Sequence, residues 1–192
     1  MNLIANRRSE IYDCFNSNEA CQQFFFYPAN EEVHITYYNS MYLLQDSTES
    51  LLRHRELGFN ADPLLAYLEF WGVMQAVIIQ QDSIAELYQV MVEKTLSAKE
   101  MKLEGWLKIR NFRNVCAGHP SKKDRPNKSP LCRTFMSRIF GNYESITYEL
   151  WQQGEGISHP QECLSSLLDA YAIEAEIKLT EVLSAMKNRW KP

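Results

Sequence analysis

What this sequence lacks narrows its class at once. Seven glycines and seven prolines in 192 residues exclude a collagen-like or linker-like chain. Five cysteines, an odd number with no CxxC pair, give no disulfide framework and suggest reduced thiols in a cytoplasmic protein. The opening MNLIANRRSE has no apolar core of a secretory signal. The most apolar run, Leu64 to Ile79, is short for a membrane span and is interrupted by Glu69 and Gln75, so no membrane association is expected. There is no GxxxxGK[ST] or GxGxxG phosphate loop, and Gly154-Glu-Gly156 reads as a turn. No repeat or low-complexity segment is present. What remains is an ordinary globular composition, 45% hydrophobic and 23% charged, in a chain long enough for one core.

The net charge of −4 conceals an imbalance. Between Lys108 and Arg138 lie nine basic residues against the single Asp124, a local charge of +8. The remaining chain holds eleven bases and twenty-three acids, or −12. One basic island in an acidic protein points to a local anion site or to a solvated loop, and argues against a general nucleic-acid coat.

The hydrophobic periodicity is mostly helical. Ser9 to Phe26 reads as a short helix that ends in Phe24-Phe25-Phe26-Tyr27 before Pro28. Residues 1–30 are expected to be an N-terminal extension packing on the body or on a partner chain. Glu31 to Leu57 carries Tyr37, Met41, Leu44, Leu51 and Leu52 near helical spacing, with Gly58 as terminator. Asp62 is suited to cap a helix whose first residue is Pro63 and which runs to about Lys94. Its first half is apolar on nearly every face, as in a central bundle helix or a subunit seam. Gly72 either admits a neighbouring helix or is merely tolerated. Gln75, Gln80, Gln81 and Ser83 are read mainly as one solvent-exposed face, with a cleft or a dimer seam as alternatives.

Ser97 and Glu100 form a capping box for a third helix, about Ala98 to Ala117, with Gly118 placed to end it. A basic, proline-bearing loop follows, from His119 to Pro130. Alternation around Phe135–Ile139 and Ile146–Leu150, with Gly141-Asn142 between, predicts a β-hairpin at about 132–151. A long amphipathic helix is expected from Pro160 to about Arg189. The fold class is therefore mainly α: an up-and-down helical bundle over 31–192, with a small β-hairpin inserted before the last long helix.

The chemically informative stretch is Lys108-Ile-Arg-Asn-Phe-Arg-Asn-Val-Cys-Ala-Gly-His-Pro120. Arg110, Arg113, Asn114 and Ala117 share one helix face. His119 lies six residues beyond Arg113, about 240° around an ideal helix, so convergence requires a break at Gly118 or a second subunit. A guanidinium, a carboxamide and an imidazole together make a phosphate site, since Arg binds phosphate oxygens bidentately and His exchanges protons near neutral pH. Two alternatives use the same segment. Cys116, His119, His159 and Cys163 form a possible zinc set, and Cys116 with His119 a possible nucleophilic pair. Cys14, Cys21, Cys132 and Cys163 otherwise read as buried or idle thiols. His34 and His54 have no evident partners.

Arg113-Asn114-Val-Cys-Ala-Gly-His119 matches RNxxxxH and resembles the signature of the HEPN superfamily. The resemblance implies a HEPN-like helical bundle that dimerises. It also implies a metal-independent endoribonuclease of the toxin or defence type, with no cofactor and no metal. Arg113 would hold the scissile phosphate, His119 would transfer the proton, and Asn114 would orient the motif or bond a phosphate oxygen. Lys122, Lys123, Arg125 and Lys128 would follow the RNA backbone. Arg110 would add a phosphate contact or sit in a surface ion pair. RNA, a second copy of the chain, and an antitoxin or nucleotidyltransferase are the implied partners. The alternative is a non-catalytic HEPN-like dimer that binds nucleotide, RNA or protein.

Overall fold

The computed structural model describes residues 1–118 and 131–191, and within them the chain is mainly helical. The basic loop residues Lys122, Lys123, Arg125 and Lys128, and His119 itself, lie outside the described residues.

The N-terminal thirty residues pack on the body, where they add side chains to its core. Helix α1 (Asn2–Asn16) buries Ile4, Ile11 and Phe15 along one face, and α2 (Glu19–Phe26) buries Cys21 and Phe25. The break between them follows from Asn18, whose side chain accepts a hydrogen bond from Cys21 N at 2.9 Å and starts the second helix. The sequence pattern predicts a single helix from Ser9 to Phe26, whereas the first helix starts at Asn2 and the second at Glu19. Pro28 then ends α2, as expected.

Helix α3 (Glu31–Leu57) has the predicted bounds. Gly58 ends it with φ of 75° and donates its N–H to the His54 carbonyl at 2.8 Å. Helix α4 (Pro63–Val92) starts at the Asp62 cap, whose Oδ1 accepts from Leu64 N at 2.8 Å. The short link makes α3 and α4 neighbours. Helix α4 also packs on α6 (Leu164–Arg189) and on α5 (Glu104–Arg113), which places it at the centre of the bundle. By length and composition alone α4 is apolar enough to cross a membrane, against the sequence expectation, but its second half is core: Val77, Ile84, Leu87 and Tyr88 are buried.

Two expectations about α4 and its neighbours are corrected. Gln80, Gln81 and Ser83 are buried, not solvent-facing. Each finds a partner: Gln80 Nε2 donates to Thr48 Oγ1 (2.7 Å), Gln81 Nε2 to the Trp106 carbonyl (3.1 Å), and Ser83 to the Ile79 carbonyl (2.7 Å). At Gly72, where two readings were open, a Cβ would meet nothing within 4 Å among the described residues, so no described helix of this chain approaches it. The Ser97–Glu100 box caps only one turn; Lys102, with φ of 54°, interrupts it and α5 starts at Glu104.

The β region is larger than one hairpin. Strand β1 (Cys132–Phe135) pairs antiparallel with β3 (Glu149–Gln152), which pairs with β4 (Gly156–Ser158). Strand β2 (Ile146–Thr147) pairs with β5 (Gln161–Glu162) in a second small sheet. Gly154, at φ of 91°, lies in the β3–β4 turn, and Gly156, at φ of 87°, opens β4 opposite Gln152. Pro160 therefore lies between β4 and β5, its carbonyl accepting from Tyr148 N at 3.2 Å, and α6 begins four residues later with Cys163 Sγ accepting from Ser166 N. Ion pairs tie the outer helices together: Arg7 to Glu176, and Arg55 bidentate to Asp169 at 2.6 and 2.9 Å.

Candidate functional site at the end of α5

Helix α5 is short and depends on α6 for its start. The Glu174 carboxylate accepts from Gly105 N (3.0 Å) and Trp106 N (2.7 Å), satisfying two donors that the helix itself leaves open. Gly105 is required there, because a Cβ would sit 2.8 Å from the Ala170 carbonyl carbon. Trp106, Ile109 and Phe112 turn inward and lock the rotation of α5. That rotation presents Arg110 and Arg113 to α4.

The two arginines meet different partners. Arg110 Nη1 bonds Asp82 Oδ1 at 3.0 Å and Gln81 Oε1 at 3.2 Å, an ion pair that cancels its charge. Arg113 Nη2 donates to Gln75 Oε1 at 3.0 Å, and its Nη1 to Asn114 Oδ1 at 3.2 Å. Both acceptors are neutral amides. Among the described residues Arg113 has no carboxylate partner. The residue is partly buried, and its guanidinium is held at the surface by these two bonds.

The backbone contributes to that orientation. After Arg113 the helix widens into a π turn, Asn114–Gly118. A Cβ on Gly118 would lie 2.7 Å from Arg113 Nη1, so the glycine leaves room for the guanidinium to fold back over the turn. The π turn was not readable from the sequence, which offered only a helix stopped by Gly118. Gln75 was also undervalued, since an isolated glutamine in an apolar helix carries no motif.

The structure brings together Arg110, Arg113, Asn114, Gln75, Gln81 and Asp82. His119 and the four loop bases lie outside the described residues. Cys116, in the π turn, is 1% exposed, and burial pushes its thiol up to about 12, with Glu162 adding to the effect. A thiol of that kind is not a nucleophile at neutral pH. Cys163 caps α6, and exposed His159 is 3.7 Å from Glu149. Among the described residues no group of three or more His, Cys, Asp or Glu side chains is arranged to hold a metal ion. Cys14, Cys21, Cys116 and Cys163 remain thiols. His54 does have partners: its Nδ1 is 2.7 Å from the Tyr143 hydroxyl and its Nε2 is 3.5 Å from Glu69.

Beside Gln75 runs an exposed apolar stripe on the first half of α4. Leu64, Leu68 and Trp71 recur at helical spacing with Gln75, and Leu68 and Trp71 are 62% and 43% exposed. No protein family's sequence profile matches this chain, and neither a curated protein nor a solved structure is detectably similar to it.

Proposed function

We propose that this chain is a HEPN-like, metal-independent endoribonuclease acting as a homodimer. The observation that carries the reading is Arg113: a guanidinium fixed by two neutral oxygens, with its charge left over for an anion. A donor fixed in advance stabilises charge that develops on phosphorus oxygens at no reorganisation cost, and such donors are worth about 10²–10³ in rate. Arg113 takes the non-bridging oxygens of the scissile phosphate. Asn114 Oδ1 accepts from Arg113 Nη1, and its amide N–H is kept for a phosphate oxygen. His119 transfers the proton, a role that contributes about 10²–10⁴-fold. The ribose 2′-hydroxyl loses its proton and attacks phosphorus, and the 5′-oxygen leaves with a proton. The product is a 2′,3′-cyclic phosphate. The nucleophile comes from RNA itself, so DNA resists. Lys122, Lys123, Arg125 and Lys128 follow the backbone. Arg110, already neutralised by Asp82, anchors α5 to α4.

The α4 stripe supports the homodimer, because it ends at Gln75, which holds Arg113. Two copies packed through Leu64, Leu68 and Trp71 would bring two motifs to one seam. A cytoplasmic RNA-cutting activity of this type suits a toxin or defence effector, with an antitoxin or nucleotidyltransferase as its restraint.

The test is incubation of purified protein with mixed single-stranded and structured RNA in EDTA, beside His119→Ala and Arg113→Ala. Cleavage by the wild type alone, leaving 2′,3′-cyclic or 3′-phosphate ends, is the expected result. Folded, dimeric wild-type protein that binds RNA in a salt-dependent way without cutting it would replace this reading with the non-catalytic binding module.

A further inference from the structure

A second feature lies on the other side of the bundle, where α1 meets α3. A cleft of about 340 Å³ opens there, walled by Tyr12, Tyr38, Met41 and Tyr42, with Arg8 at one side. This is within the ~300–1,000 Å³ range of small-molecule sites. Tyr37 forms part of its wall and is 2% exposed, stacked on Phe15 at 5.1 Å between ring centres. Its hydroxyl is buried and makes no hydrogen bond among the described residues. A buried hydroxyl without a partner costs about 1–3 kcal/mol, so its retention at a cleft points to a ligand atom. Burial pushes the pKa of this hydroxyl above the ordinary tyrosine range, while the nearby Arg8 charge opposes the shift.

Arg8 is prepared in a similar way. Its Nε donates to the Met41 carbonyl at 3.3 Å and its guanidinium lies over the Tyr12 ring at 5.1 Å. Among the described residues neither Nη group has a partner, and no carboxylate lines the cleft. The fork is thus held by its inner nitrogen and open at its outer two, the arrangement that accepts a phosphate bidentately.

We propose that this cleft binds a nucleotide unit. The base lies among Tyr12, Tyr38 and Tyr42, the phosphate takes the outer nitrogens of Arg8, and the Tyr37 hydroxyl bonds the base edge. An aliphatic ligand leaves Arg8 and Tyr37 unpaired, and inorganic phosphate leaves the rings unused. The unit is either a free mononucleotide or one residue of single-stranded RNA. The second source has space: beyond the Tyr38–Tyr42 ridge is a further hollow of about 570 Å³ lined by Phe26 and His34, whose Nε2 is also buried without a hydrogen bond. The site shares no residue with Arg113 and stands independently of RNA cleavage.

Calorimetric titration of the full chain with AMP, adenosine, ribose 5-phosphate and a 2′-O-methyl adenosine hexamer tests the proposal, since the methylated hexamer cannot be cut through its 2′-oxygen. AMP is expected to bind one-to-one, at least about tenfold tighter than adenosine or ribose 5-phosphate. Tyr42→Ala, at an exposed ring, should weaken AMP by roughly 5- to 150-fold, the loss of one base–aromatic stack. Arg8→Lys should bring AMP close to adenosine, and Tyr37→Phe should weaken both about fivefold while circular dichroism stays unchanged. Hexamer binding far tighter than AMP identifies RNA as the source; similar affinities identify the free nucleotide. Absence of saturable binding by both AMP and hexamer up to about 10 mM overturns the proposal, as does equal binding by wild type, Tyr42→Ala and Arg8→Lys.

Discussion

Arg110 and Arg113 lie one turn apart on α5 and reach the same neighbouring helix, yet their surroundings differ in charge. Arg110 meets Asp82, which sits between buried Gln81 and Ser83 on α4, and is neutralised. Arg113 meets Gln75, where α4 is still exposed, and is only held. A carboxylate at position 75 would have made both contacts structural. The difference teaches that orientation and neutralisation are separable: an amide supplies the first without the second. A cation meant for a ligand needs that separation, since an ion pair must be broken before an anion can bind.

The sharpest way to break the comparison is to remove each arginine in turn. Arg113→Ala should lower RNA cleavage by about 10²–10³-fold. Its stability should shift by under ~0.5 kcal/mol, because both lost bonds are at the surface. Arg110→Ala should lower cleavage less than about tenfold, through looser seating of α5. Cleavage rates under single-turnover conditions, with thermal melts alongside, check both. Equal losses would erase the distinction. Next in size is the stripe beside Gln75. Leu68→Asp should raise the dimer dissociation constant by about thirtyfold, or ~2 kcal/mol, read by sedimentation. A dimer indifferent to this change uses another face.

Gly118→Ala probes the same contact more gently. The new methyl would lie 2.7 Å from Arg113 Nη1, and the flexible end of the arginine yields before the backbone does. Displacement from Gln75 should cost about tenfold in cleavage with an unchanged melting temperature. A loss of stability in place of activity would show that the π turn, and not the guanidinium, is what the glycine serves.

Much of the scaffold was legible because it rests on local signals. Gly58, Asp62 and Pro63 mark their helix ends by backbone chemistry that any sequence displays. The errors arose where tertiary contacts decide. Gln80 and Gln81 look solvent-facing in sequence, but each is paired inside the core, and burial of a paired amide leaves no sequence trace. The start of α5 was misplaced because its cap, Glu174, comes from sixty-eight residues beyond Trp106. In the site, the arginines and Asn114 were visible as a face of a helix. Their opposite fates were not, because Asp82 and Gln75 lie on another helix, 28 and 38 residues away from their arginines.

The mildest prediction converts one arginine into the likeness of the other. Asp82→Asn keeps an amide oxygen where the carboxylate was and so retains a bond to Arg110 while releasing its charge. Asp82 is exposed, and loss of a surface ion pair costs under ~1 kcal/mol, so the fold should survive. Arg110 then offers a second cation one turn from Arg113. Binding of single-stranded RNA at low salt should tighten by about fivefold, the equivalent of ~1 kcal/mol. The slope of log affinity against log salt should steepen by about 0.7, the signature of one further phosphate neutralised. The cleavage step itself should change little, because Arg113 and its partners are untouched. Unaltered affinity and slope would mean that RNA does not pass Arg110, and that the anion site ends at Arg113.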